Sequence, residues 1–280
     1  MPIRVPAPVL LLVLLAVSSC QTTGTTPTPP AGSPVPPAGI RLSPADAEAI
    51  GRKIWKNECN GTVEGLTSWN VGEDFPSLGI GHFIWYVPGR PGPFQESFPQ
   101  LVAYMKEREV AMPRWLAEAR GCPWSSRDEF LAQRNEGKLR ELREFLANTV
   151  PVQTEFIVRR LENALPAMKR ASADGERQRL EQNFYRVAET GTGVYALIDY
   201  VNFKGEGVKP EERYQGQGWG LRDVLLEMKD TDGGQAAANE FSEAAKRVLL
   251  RRIANSPPDR GETRWRAGWM NRCESYKHGI

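Results

Sequence analysis

Apolar positions recur at helical spacing through most of this chain, and the exceptions gather in two stretches rich in glycine and aromatic residues. Ser43-Pro44-Ala45-Asp46 reads as a helix start, with a capping Ser, Pro at the first helical position and an early acid. Behind it Ala47, Ile50, Ile54 and Glu58 fall at i, i+3, i+7 and i+11. That spacing returns to one helix face, so Glu58 extends the stripe that should be buried. The competing arrangement is a last-turn glutamate bent out to solvent. Between residues 66 and 87 the pattern changes. Gly72, Pro76, Gly79, Gly81, Pro88 and Gly89 exclude a long helix there, while Leu78, Ile80, Trp85 and Tyr86 predict short strands of a small antiparallel sheet. Gly79 and Gly81 leave one side of such a strand bare, open to another backbone or a ligand. From Ser97 onward the periodicity predicts helices near 98–109, 113–119, 126–134, 137–148, 152–170, 175–189, 193–203, 218–229, 234–254 and 262–276. Pro166 should kink or end the helix it falls in. The expected fold class is α+β, mainly helical, as one domain or two intimate lobes.

Composition changes the picture at the N-terminus. Arg4 followed by the apolar run Val9–Val17 has the shape of an export signal and is too short for an ordinary membrane span. Val17-Ser18-Ser19-Cys20 resembles a bacterial lipobox, in which Cys20 becomes the lipid-carrying first residue, and Gln21 then favours the outer membrane. Residues 1–19 are therefore read as a lipoprotein signal peptide. Residues 20–42 are read as the lipidated Cys and a Pro/Thr-rich tether, and 43–280 as the folded domain. A polyproline-like tether at about 3.1 Å per residue would reach on the order of 60 Å. The expected address is the periplasmic face of the outer membrane, through a lipid anchor. Net charge is +2 over 280 residues, and the arginines from Arg247 to Arg272 read as a solvated face, so no nucleic-acid partner is expected. Besides Cys20 the chain has Cys59, Cys122 and Cys273. In an oxidising compartment one disulfide is expected, with Cys59–Cys122 the favoured pair and one thiol left over. With no C-x-x-C and only two histidines, neither a metal nor another cofactor is expected.

The candidate chemistry lies in the two exceptional stretches. Residues 58–85 hold the carboxylates Glu58, Glu64, Glu73 and Asp74, with His82 at the end of Ser77-Leu78-Gly79-Ile80-Gly81-His82. Residues 199–220 interleave the amides of Asn202, Gln215 and Gln217 with Tyr200, Phe203, Tyr214 and Trp219. Sugars are commonly bound that way, ring faces against C–H surfaces and amides to hydroxyls. The plainer alternative for the second stretch is an inter-helix loop.

Ser77-Leu78-Gly79-Ile80-Gly81-His82 resembles the Thr/Ser-Ile-Gly-x-Gly-His signature of the phage-type lysozymes. The likeness runs back without gaps to Leu66, through Phe75, Glu73 and Trp69. It returns at Ala196-Leu197-Ile198-Asp199, at Trp219-Gly220-Leu221-Arg222, and from Asn255-Ser256-Pro257 through Arg264 to Gly268-Trp269 and Tyr276-Lys277. Much of 88–190 does not align. The resemblance implies a lysozyme-like fold, a small antiparallel sheet against a helical lobe, and cleavage of the β-1,4 glycosidic bonds of peptidoglycan. It implies a glutamate at the end of the first helix as general acid. Helix register selects Glu58, while Glu64-Gly65-Leu66 copies the family's Glu-Gly-Leu more literally. Val71 stands at the family's catalytic aspartate, so the second carboxylate falls to Glu73, with Ser77 as the water-positioning hydroxyl. Trp69, Asn70, Asp74, His82, Asn202, Gln217 and Trp219 are the implied substrate-binding residues. Because Val71 replaces the aspartate, two alternatives stay open: a lytic transglycosylase, which needs one acid/base, and a silent peptidoglycan-binding envelope lipoprotein.

Overall fold

The stripe that begins at Ser43 folds as α1, Pro44–Cys59, in a computed structural model that describes residues 39–92 and 94–280. Ser43 Oγ accepts the Asp46 backbone N–H at 3.0 Å, and Asn60 closes the helix in the left-handed region at φ 53°. Ala47, Ile50, Gly51 and Ile54 are buried against α6, Val150–Arg170. A Cβ on Gly51 would fall 2.6 Å from Val150 Cγ1, so the small residue sets how closely the two helices approach. In the last turn the buried position is Cys59, and Glu58 is half-exposed. This corrects the expectation that Glu58 prolongs the apolar stripe: the sheet meets the end of the helix from a different side than α6 does.

A single 3-10 turn, Glu64–Leu66, leads into the sheet. Strands β1 (Thr67–Ser68), β2 (Ser77–Leu78) and β3 (Phe83–Ile84) form an antiparallel sheet in sequence order. Its register pairs Thr67 with Leu78, Ser68 with Ser77, Ser77 with Ile84 and Leu78 with Phe83. The expected small sheet is present, but Gly79–His82 is the turn between two strands and not part of one. Gly79 and His82 both take positive φ there, at 69° and 45°.

The remaining helices are α2 (Phe98–Glu107), α3 (Arg114–Glu118), α4 (Arg127–Ala132), α5 (Gly137–Asn148), α6, α7 (Asp174–Val187) and α8 (Gly191–Lys204). A hairpin follows, β4 (Arg213–Tyr214) with β5 (Gln217–Gly218), and then α9 (Leu221–Glu227), α10 (Gln235–Asn255) and α11 (Arg266–Glu274). Each predicted helix has its counterpart. The one expected over 218–229 starts only at Leu221, because Gln217 and Gly218 belong to the hairpin. Gln215 and Gly216, at φ 49° and 76°, make its two-residue turn. Pro166 leaves α6 unbroken, since it stands on the exposed side where water can take up the carbonyl it strands.

The protein is mainly helical with a small antiparallel sheet, and one continuous apolar core runs from Ile50 to Tyr276. On the sheet side the core is aromatic: Trp85, Phe98, Trp124, Phe130 and Trp69 meet with ring centroids 4.8–6.4 Å apart. The folded unit begins before residue 43. The Ile40 N–H donates to Glu162 Oε1 at 2.5 Å, and Ile40 and Leu42 pack on the core, so the last residues assigned to the tether belong to the domain. Cys20 and the rest of the tether and signal segment lie outside the described residues. No helix among those described is long and apolar enough to cross a membrane. Cys59, Cys122 and Cys273 are all free and buried, which corrects the expected Cys59–Cys122 disulfide. Cys59 Sγ is turned toward Gly79 and His82, and Cys122 Sγ toward the Trp124 carbonyl at 3.5 Å.

Candidate functional site

The Gly79–His82 turn is held from two sides. From α1, Cys59 Sγ lies 3.4 Å from His82 Nε2 and 3.7 Å from the Gly79 carbonyl oxygen. From α6, fully buried Gln153 accepts the Ile80 N–H at 3.0 Å, and its own amide donates to the Leu146 carbonyl at 2.7 Å. A Cβ at Gly79 would collide with the Gln153 side-chain oxygen, so the glycine is required by close approach as well as by its φ. This fixes the turn beside the end of α1. Glu58 is on that end, half-exposed, and its charge reaches two neighbours. It adds to burial in pushing the Cys59 thiol up to about 12, and it supplements Asp199 in raising the Arg272 guanidinium. Glu64 is exposed at the start of the 3-10 turn. Of the two rivals, Glu58 is therefore the one at a junction of elements.

The other side of that junction is a buried polar network. Asp199 on α8 is only 4% exposed and accepts from Arg272 Nε at 2.7 Å, from the second Arg272 nitrogen at 2.8 Å and from the Tyr276 hydroxyl at 2.6 Å. Tyr195 OH donates to Asp199 at 3.4 Å and accepts from Asn57 Nδ2 at 2.8 Å. Asn57 is the residue before Glu58. The network thus ties the end of α1 to α8 and α11, with Arg272 between Asp199 and the field of Glu58. Burial and the Asp199 charge push the Tyr195 and Tyr276 hydroxyls up, so both remain hydrogen-bond donors over the working pH range. Gln153, Tyr195, Arg272 and the polar role of Asp199 were missed from sequence. The legible signal was polar residues inside apolar helix faces, Gln153-Thr154 between Val150 and Ile157, and Asp199 between Ile198 and Tyr200.

The β1–β2 hairpin carries the other expected site residues at its far end. Ser77 is buried within β2. Trp69 Nε1 donates to the Glu73 carbonyl at 2.7 Å, and Asn70 Nδ2 donates to the Glu73 carboxylate at 3.1 Å. Glu73 is therefore held by its own turn, with exposed Asn70 and Asp74 beside it and Val71 83% exposed. The strand register puts this tip at the opposite end of the hairpin from the turn that Cys59 touches. Trp69, expected as a sugar platform, is 5% exposed and packed edge-on to Phe130, so its ring face is not open to a ligand.

In the second stretch, Trp219 is likewise buried, between the Tyr214 ring at 4.5 Å and the Arg252 guanidinium at 4.1 Å. Gln217 is exposed on β5, and Asn202 is exposed near the end of α8. Asn202 and Gly81 line the same cavity, of about 360 Å³, between α6, α8, the 205–212 loop and the sheet. The Gly79–His82 turn thus has α1 on one side and this cavity on the other. Among the described residues no three His, Cys, Asp or Glu side chains converge to hold a metal ion. No family model, no curated protein and no solved structure is matched by this chain.

Proposed function

We propose that this protein is a peptidoglycan-active glycosidase with a lysozyme-like fold, in which Glu58 is the proton donor. One observation carries the reading: the turn with the Ser77–His82 signature lies between the Glu58-bearing end of α1 and a cavity lined by Gly81 and Asn202. Glycoside cleavage needs a carboxylic acid at the leaving oxygen. A sugar seated against a half-exposed carboxyl displaces water, and loss of water favours the neutral, proton-giving form. The Asp199–Arg272 network and the Gln153 clamp hold the helix end and the turn in a fixed relation, which is the positioning that general acid catalysis requires. Peptidoglycan is the proposed partner, reached by a domain held at the outer membrane through Cys20 and its tether.

Hydrolysis with inversion also needs a carboxylate on the far side of the sugar, about 6.5–9.5 Å from the acid. Glu73 is the candidate, with Ser77 to position the water. A second reading, lytic transglycosylation through Glu58 alone, is favoured by the hydrogen bonding of Glu73 within its own hairpin tip and by exposed Val71. Incubating the full-length protein with purified sacculi separates the outcomes. Reducing ends mean hydrolysis, anhydro ends mean transglycosylation, and binding without release means a silent scaffold. Glu58→Gln should lower turnover about 10²–10⁴-fold with the fold intact. Full activity in that variant together with loss in Glu64→Gln would transfer the role to Glu64.

A further inference from the structure

Seven arginines lie between Arg247 and Arg272, and the structure divides them into two groups. Four are committed inside the fold: Arg247 and Arg251 pair with Glu227, Arg252 with Glu262, and Arg272 with Asp199. The other three, Arg260, Arg264 and Arg266, are exposed, and among the described residues none of them pairs with a carboxylate. Arg260 faces the Tyr214 ring at 5.9 Å and Arg264 the Trp265 ring at 5.1 Å.

All three stand on one short segment, Pro257–Gly268, made of two 3-10 turns and the first residues of α11. Glu262 is the only buried residue of its twelve. The Glu262 carboxylate accepts from Tyr214 OH at 3.0 Å and from two nitrogens of Arg252 at 2.8 and 2.9 Å. One buried acid therefore pins the segment to α10 and the β4–β5 hairpin, while the residues around it face water. Asp259 is the only other acid on the segment, so its outward surface is net positive. Trp265 stands among these arginines at 51% exposure, the only exposed tryptophan of the chain's eight.

Arginines alone are satisfied by water and counterions. A large aromatic ring held out among them is not, because its apolar surface stays hydrated at a cost. Tryptophan joins an apolar body to a polar N–H, which suits the headgroup level of a bilayer, and arginine heads beside it can reach lipid phosphates. A soluble polyanion is instead followed along a groove or a stripe of charge. A segment pinned at one point and exposed around it offers neither.

We propose that Pro257–Gly268 docks on a bilayer that carries anionic lipid, with Trp265 at headgroup level and Arg260, Arg264 and Arg266 against lipid phosphates. Docking of this kind belongs to the folded domain, separate from any lipid on Cys20 and from any cleavage by Glu58.

The test is co-sedimentation of the chain from Gln21, which keeps the whole folded unit and lacks Cys20, with vesicles of phosphatidylcholine alone or mixed with phosphatidylglycerol. Each arginine near an anionic surface is worth about fivefold in binding. With three arginines against Asp259, the anionic vesicles should be preferred by at least about tenfold, and roughly 0.5 M salt should remove the preference. Arg264→Gln together with Arg266→Gln should weaken binding to the anionic vesicles about 30-fold. Lipids brominated near the glycerol end of their chains should quench tryptophan fluorescence in the native protein and not in Trp265→Phe, which keeps an apolar ring. The comparison of vesicles on the native sequence needs no variant to fold. Absence of binding, equal binding to both vesicles, or anionic binding untouched by the paired substitution overturns the docking site. Arginine-dependent binding without quenching through Trp265 overturns it as well, because the contact is then charge attraction alone, such as a soluble polyanion would make.

Discussion

Asp199→Asn tests whether the buried network holds the candidate site together. The carboxylate takes three bonds of 2.6–2.8 Å, two from Arg272 and one from Tyr276, and a longer one from Tyr195. Bonds to a charged group are each worth about 1.5–3 kcal/mol, but in one network they do not add. The better guide is the partner left behind. An asparagine of the same shape turns an N–H₂ group toward a donor and leaves the Arg272 charge without its counterion. Because the Arg272 side chain is 34% exposed and water can reach it, the cost falls below that of a fully buried pair, at about 2–3 kcal/mol. At about 2–4 °C per kcal/mol for a domain of this size, melting should fall by on the order of 10 °C. Urea denaturation followed by circular dichroism measures the same quantity. The cost should largely disappear when Arg272→Met is added, because the orphaned charge goes with it. An Asp199→Asn protein within about 1 kcal/mol of the native one would refute the argument that this carboxylate anchors α11 and the end of α1.

Gly79→Ala should destabilise by about 2–4 kcal/mol in the same assay, because it adds a Cβ at φ 69° against the Gln153 oxygen and threatens the bond to the Ile80 N–H. Acid stability should depend on Glu243. Hydrogen bonds from Lys277 and Lys246 push it down to about 2 from an ordinary 4.5. Its contribution is therefore complete above 4.5 and lost as pH falls toward 2, and Glu243→Gln should flatten the stability curve across that window. The three domain thiols are pushed up to about 12, mainly by burial, and should resist iodoacetamide at pH 8 in the native state. All three should alkylate after unfolding, as mass spectrometry would record. Rapid native labelling of Cys59 would mean that its contact with His82 is not kept.

The helices could be read from the chain because each carries its own period and its own stops. Ser43-Pro44 opens α1, and the Gly191 and Pro151 regions mark breaks that local backbone preference enforces. The small sheet could be foreseen for the same reason, as glycines and prolines exclude helix from 66 to 87. The β4–β5 hairpin was read only as a polar groove or loop, since two-residue strands have too little alternation to signal. Glu58 illustrates the limit of periodicity. Spacing put it on the apolar stripe, but burial depends on what arrives against the helix, and the turn at Gly79 arrives over Cys59.

What the sequence determined alone was the order of the helices, the presence of a small sheet between 66 and 87, and a neighbourhood rich in carboxylates and glycine around 58–82. Tertiary structure decided which of those residues face a cavity and which are packing. Trp69 and Trp219 have the composition of sugar platforms, but Phe130 and Arg252, from elements far along the chain, enclose them, with Tyr214 of the adjoining hairpin on the other side of Trp219. Asp199 and Arg272 are 73 residues apart, and Gln153 and Ile80 also 73. No local pattern couples such pairs. The buried hydrogen bonds that position the Gly79–His82 turn and the end of α1 exist only once the core has closed, because only then is water absent and each polar group obliged to find a partner in the chain.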